Sequence, residues 1–214
     1  QARMALASGL PKARAALARV SGSRDPSLLY DWSRALRAAN KDAQAHAKLL
    51  QIEPGTLAKD HTQRWWNEVA IQARDALMAG DPRLALRLVE HAKIPVGDQY
   101  PDEQFLAGFI SLRFLKEPAQ ALTYFQRLGA SVTRPISKSR AEYWQARAHE
   151  ALGDPASAAG HYRLAAAYPD TFYGQLAIAR TEAAPLLHLN DTPVEPVAKA
   201  AIENDTLMPQ IRVL

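Results

Sequence analysis

Apolar residues recur at three- and four-residue spacing along almost the whole chain, and the strict alternation that marks half-buried strands is nearly absent. That periodicity predicts an all-α protein. Three amphipathic stretches stand out, residues 65–79, 103–115 and 140–152, and each runs into an acidic residue followed by proline: Asp81-Pro82, Glu117-Pro118 and Asp154-Pro155. Such a step starts a helix, because the carboxylate can accept from the free N–H groups of the first turn and proline has no N–H to lose there. Gly80 and Gly153 stand just ahead of two of these steps, where a glycine suits the end of the preceding helix.

The prolines lie 36 and 37 positions apart, and each is followed at fixed offsets by a small residue (Ala85, Ala121, Ala158) and then a larger one (Val89, Phe125, Tyr162). The small side chain lets a neighbouring helix approach and the larger one fills the space a turn later. A degenerate copy begins at Asp42, with Ala45 and Leu49 at the same offsets. Helix pairs at this period predict an α-solenoid of stacked antiparallel pairs with tetratricopeptide-like character. Residues 93–101 and 129–138, rich in proline and small polar residues, read as loops between units. Residues 1–182 therefore read as one superhelical scaffold with repeat markers near positions 42, 82, 118 and 155. Residues 183–214, broken by Pro185, Pro193 and Pro196, read as a short helical tail or connector whose last helix spans 196–207.

Composition changes this picture little. The chain has 214 residues, 48% hydrophobic and 22% charged, an ordinary globular balance with enough apolar surface for one or two domains. Lysine and arginine outnumber aspartate and glutamate by 26 to 22, and the excess falls early, from Arg3 and Lys12 through Arg34, Arg37 and Lys41. Spread out in this way it reads as the wet surface of helices, with weak attraction for a polymer carrying free carboxylates and no expectation of a nucleic-acid partner. Cysteine is absent, which excludes disulfides and thiolate metal sites, and no apolar run approaches the length of a membrane span. A start at Gln1 and an abrupt stop at Leu214 read as a processed, trimmed or cut chain.

Searching for chemistry yields no catalytic residue, no metal site and no cofactor motif. The six histidines form no H-E-x-x-H pattern, since Gly153 stands where His149-Glu150 would need the second histidine. Nucleophile-elbow, phosphate-loop and dinucleotide signatures are missing, and no carboxylate pair is set apart for acid–base work. Aromatic pairs remain: Trp65-Trp66, Tyr143-Trp144 and Phe172-Tyr173. Neighbouring tryptophans on a helix point about 100° apart, so at most one of Trp65 and Trp66 is expected to face the core fully and the other, with Trp66 the candidate, to face solvent or a ligand. In the stretch YPDTFYGQLA (168–177), Pro169 ends one helix, Asp170 or Thr171 caps the next, and Gly174 signals close approach by a neighbouring backbone.

Four segments, RWWNEVAIQARDALMAGDP (64–82), EQFLAGFISLRFLKEPAQALTYFQRL (103–128), TRPISKSRAEYWQARAHEALGD (133–154) and AAAYPDTFYGQLA (165–177), resemble in the same order the superhelical U-domain of soluble lytic murein transglycosylases of the alphaproteobacterial kind. The run TFYGQLA is the most specific of these, because it resembles the end of the family's last repeat just before the catalytic module. The resemblance implies a periplasmic or outer-membrane-associated, monomeric parent that cleaves MurNAc–GlcNAc bonds of peptidoglycan to 1,6-anhydro products. It implies two partners for these residues, the glycan strands and a C-terminal catalytic domain. The family's catalytic Glu-Ser pair and Gly-Leu-Met-Gln run do not occur here, so no catalytic residue transfers and this chain alone is expected to be inactive. On this view Phe172 and Leu176 pack inward while Tyr173 and Gln175 face the catalytic domain or the glycan. Trp66, Tyr173 and Gln175 are the candidate substrate-binding residues. The alternative is a stand-alone tetratricopeptide-like adaptor that holds a protein or peptide partner.

Overall fold

The structure, a computed structural model, describes residues 2–7, 9–20, 22–54, 56, 61–181 and 195–205. Every regular element among them is helical. Residues Gln1–Ala184 and Pro185–Leu214 form separate compact units. The expected boundary at 182/183 lies outside the described residues. In the second unit, α12 (Pro196–Glu203) begins at Pro196 as expected and buries none of its residues.

The first unit opens with α1 (Ala2–Ala7) and α2 (Leu10–Ala18), which pack on each other, with α1 also against α3. Four helix pairs follow: α3 (Pro26–Ala38) with α4 (Asp42–Leu49), α5 (Thr62–Met78) with α6 (Pro82–Ala92), α7 (Tyr100–Ile110) with α8 (Pro118–Ser131), and α9 (Pro135–Leu152) with α10 (Pro155–Ala166). A last helix, α11 (Phe172–Thr181), packs on α10 and α9. Each pair packs tightly within itself, and α6, α8 and α10 each also meet the first helix that follows, so the pairs stack as an α-solenoid. The offsets read from sequence are buried as predicted: Ala45, Ala85, Ala121 and Ala158, and after them Leu49, Val89, Phe125 and Tyr162.

One turn, repeated four times, sets this geometry. Asn40, Gly80, Lys116 and Gly153 all adopt the left-handed conformation, with φ of 53°, 83°, 59° and 76°. The residue after each has nearly the same backbone, with φ between −107° and −112° and ψ between 55° and 79°. In three of the turns that next N–H reaches back five residues to a carbonyl, Lys41 to Leu36, Asp81 to Ala76 and Asp154 to His149, which satisfies an acceptor otherwise orphaned at the helix end. In the third pair Glu117 reaches back six, to Ser111, because the end of its first helix, Ser111–Leu115, is wound as a π-helix. The additional residue is taken up there and the turn is preserved.

The caps agree with the sequence at two of three steps. Asp81 accepts from the Leu84 N–H at 2.9 Å and Asp154 from the Ser157 N–H at 3.0 Å. Glu117 makes no such bond; its longer side chain turns to Arg83 instead. A further acid–proline step, Asp25-Pro26, opens α3, where Asp25 accepts from the Leu28 N–H at 2.6 Å. The expected loop over 129–138 shrinks to residues 132–134, because α8 continues through Ser131 and α9 starts at Pro135.

Lys116 is the one lysine holding a turn whose counterparts are glycine at Gly80 and Gly153. A side chain in the left-handed region costs roughly 1 kcal/mol relative to glycine. Lys116→Gly is therefore expected to raise stability by about 0.5–1 kcal/mol, read as a higher urea midpoint, while Gly153→Ala lowers it by about 1 kcal/mol. A destabilised Lys116→Gly protein would show that the Lys116 ammonium, which donates to the Arg113 carbonyl at 2.8 Å, outweighs the backbone strain.

Candidate functional site

The first helices of successive pairs leave an open groove of about 580 Å³ between α1, α3 and α5. Helical spacing builds its walls. On α3, Ser27, Tyr30, Asp31, Arg34 and Arg37 fall on one stripe, and Arg64, Trp65, Glu68 and Ile71 do the same on α5, with His61 just ahead of it. Arg3 of α1 closes one side and pairs with Asp31 at 2.6 Å.

Beneath the groove lies a polar network that ties α3, α4 and α5 together. Glu68 is only 3% exposed, and Arg37 donates to both of its oxygens, at 2.8 and 2.9 Å. Gln72 donates to Glu68 Oε1 at 2.9 Å and to Ser33 Oγ at 2.7 Å, and the Ser33 hydroxyl donates to the Ala45 carbonyl at 2.9 Å. A buried carboxylate is tolerated only when its charge and lone pairs are met in this way. The hydrogen bond to Glu68 raises the Arg37 guanidinium above its ordinary pKa, and the bond to Asp31 does the same for Arg3. Burial pushes the Tyr30 phenol up. Its O–H donates to the Arg64 carbonyl at 3.2 Å, and the Arg34 guanidinium sits over its ring at 5.6 Å.

Charge in the groove is not balanced. Four arginines face two carboxylates, and Arg3 and Arg37 already satisfy Asp31 and Glu68. Arg34 is half exposed and stands 3.8 Å from a carboxylate that Arg37 holds more closely. The Arg64 side chain is exposed and has no ion pair or hydrogen bond among the described residues.

The residues singled out by sequence are placed otherwise. Trp65 and Trp66 are each 4% exposed, so the expectation that one of them, with Trp66 the candidate, faces solvent or a ligand is overturned. Helix α5 is covered by α6 on one side and by α4 and α7 on others, and two faces 100° apart are therefore both buried. Trp65 is further pinned by its indole N–H donating to the Ala92 carbonyl at 3.1 Å. The pair Phe172 and Tyr173 is reversed relative to expectation: Phe172 is 69% exposed, whereas Tyr173 is half-buried against Tyr143 and Trp144, with ring centroids 5.4 and 6.4 Å apart. Leu176 packs inward, as predicted, and Gln175 is exposed. Trp66 belongs to the core of α3–α7 and Tyr173 to that of α8–α11, so no common site joins the candidates.

Thr171 supplies the expected cap, accepting from the Gly174 N–H at 3.0 Å. The backbone that Gly174 admits is nevertheless internal to this unit. A Cβ at Gly174 would run into the carbonyl of Tyr168, four residues before the helix starts. The groove itself had a signal in the sequence, the early arginine excess. It pointed nowhere in particular because the partners, Arg37 with Glu68 and Arg3 with Asp31, lie 31 and 28 positions apart.

No protein-family model matches the sequence, and no curated protein matches it. Among solved structures, the one titled "Crystal structure of MamA protein" is similar at 14% identity and a TM-score of 0.47, over 75% of this chain and 79% of that one. At that level the likeness adds no argument about ligands.

Proposed function

We propose that this chain is a helical-repeat scaffold that holds an extended segment of a partner protein in the groove across α1, α3 and α5. The observation that carries this reading is the groove's construction. Three helices contribute its walls, a buried network from Glu68 to Ser33 fixes two of them, and its cationic side chains remain open to solvent. A preorganised concave surface with few polar anchors suits binding, because little order is lost when a ligand arrives. Both carboxylates in the groove are engaged by arginine, which suits holding a ligand better than moving protons.

Selection from a phage-displayed peptide library tests it. Peptides that bind the full chain should lose affinity at least about tenfold to the Ile71→Glu variant, since Ile71 is 40% exposed on the groove wall and its replacement leaves the core intact. Failure to select any peptide, or selected peptides indifferent to Ile71→Glu, would sink the reading.

A narrower proposal is the periplasmic scaffold of a lytic transglycosylase with peptidoglycan strands as ligand. It rests on the sequence resemblance of the four segments. Its most specific motif, TFYGQLA, also has an internal explanation in the Gly174–Tyr168 contact and the packing of Tyr173. Co-sedimentation with purified sacculi that survives washing would favour this narrower proposal over a protein partner.

A further inference from the structure

Taking the groove as the binding face, we infer that its Arg34–Tyr30–Arg64 end is a carboxylate-binding subsite and that the segment it takes is an acidic peptide. Each groove carboxylate is held most closely by another arginine, so Arg34 shares Glu68 with Arg37 at 3.8 Å and Arg64 has no carboxylate partner among the described residues, which leaves net positive charge at this end. Tyr30 stands between them. Its hydroxyl fastens to the Arg64 backbone, and its ring carries the Arg34 guanidinium on its face, which narrows the positions Arg34 can take. Guanidinium groups presented in this way match the planar two-oxygen shape of a carboxylate, which each can grip with parallel hydrogen bonds. Apolar contact is offered beside them by Ile71 and the edge of Trp65, enough for the stem of a glutamate or an intervening aliphatic residue.

The extent of the free charge decides between anions. A nucleic acid or an anionic membrane draws its affinity from many cations spread along a track or plane. Elsewhere in this unit Arg83 pairs with Glu117, Arg140 with Asp102, and Arg147 and Arg180 with Glu150, and the groove itself is lined by no arginine beyond Arg3, Arg34, Arg37 and Arg64. The unpaired charge on this groove is thus local to α3 and α5, a span that fits a short stretch of acidic side chains.

Fluorescence anisotropy with fluorescein-labelled hexaglutamate tests the inference on the full chain. Saturable binding is expected, weakened at least about tenfold in Arg34→Gln/Arg64→Gln and strongly reduced at about 0.5 M salt. Both side chains are well exposed, so the melting curve of the variant should overlay that of the parent. Absence of hexaglutamate binding, undiminished binding by the double variant, or tighter binding of single-stranded oligo(dT) or phosphatidylglycerol vesicles would each overturn it. If library-selected peptides still depend on Ile71 while hexaglutamate does not bind, the acidic-peptide inference falls and the scaffold reading stands.

Discussion

Gly174→Val is expected to destabilise the C-terminal end of the solenoid by about 3 kcal/mol, and Gly174→Ala by about 2 kcal/mol. The sign for alanine is the informative part. Glycine inside a helix normally loses about 1 kcal/mol to alanine, so helix propensity alone predicts that Gly174→Ala gains stability. Geometry predicts the reverse, because the new Cβ meets the carbonyl of Tyr168 and lies 2.8 Å from Thr171 Oγ1, and neither is the free end of a flexible side chain. Thr171 cannot easily yield: it is 3% exposed, caps α11 through Gly174, and lies 2.8 Å from Ser139 Oγ on α9. In a stack where each unit touches only its neighbours, the damage should stay local. Hydrogen exchange should accelerate across α11 and the adjoining face of α9 while α3–α6 keep their protection. An Ala variant as stable as the parent would show that the chain before α11 shifts freely.

The second large effect is expected at the buried carboxylate. Arg37→Met removes both close hydrogen bonds to Glu68 and leaves a 3% exposed charge with Gln72 at 2.9 Å and Arg34 at 3.8 Å. Breaking a buried pair from one side costs about 3 kcal/mol, since the surviving charge stays desolvated. Arg37→Met/Glu68→Leu should recover most of that loss, because two apolar side chains of similar size need no partners there. Arg37→Lys should recover only part, as one ammonium cannot replace a two-pronged guanidinium. Urea unfolding of the parent, Arg37→Met, Glu68→Leu and Arg37→Met/Glu68→Leu gives the coupling energy directly. A coupling near zero would mean that Arg37 and Glu68 contribute independently and that the network does not fix α3 against α5.

Much of this architecture was legible because it depends on contacts close in sequence. The alanine and the larger residue that follow each acid–proline step sit on one helix, and the aspartate caps act within a single turn, so their spacing is written directly in the chain. Lys116 and Asn40 hid two of the four turns, since neither residue type announces a left-handed backbone as glycine does. The reversal of Phe172 and Tyr173 follows from where α11 starts. With Thr171 as cap, Phe172 occupies the first helical position on the outside and Tyr173 swings toward Tyr143 and Trp144. The groove was the least legible part. It is assembled from α1, α3 and α5, and which arginines are paired depends on carboxylates about thirty positions away.

The π-wound turn at Ser111–Leu115 bears on how such a chain tolerates change in its length. A residue gained in an ordinary helix rotates everything beyond it by about 100°, which would carry Ala121 and Phe125 out of the interior. Here the surplus is confined to one widened loop of backbone, and the turn at Lys116–Glu117 keeps the dihedrals of its three counterparts. Phe114 is brought to the same side as Phe109, with ring centroids 5.9 Å apart, although five positions separate them. The ruler of this solenoid is therefore the turn and not the residue count. Units of unequal length can drift apart in sequence while remaining interchangeable in space, and a repeat whose period wanders by a residue is what such a ruler leaves behind.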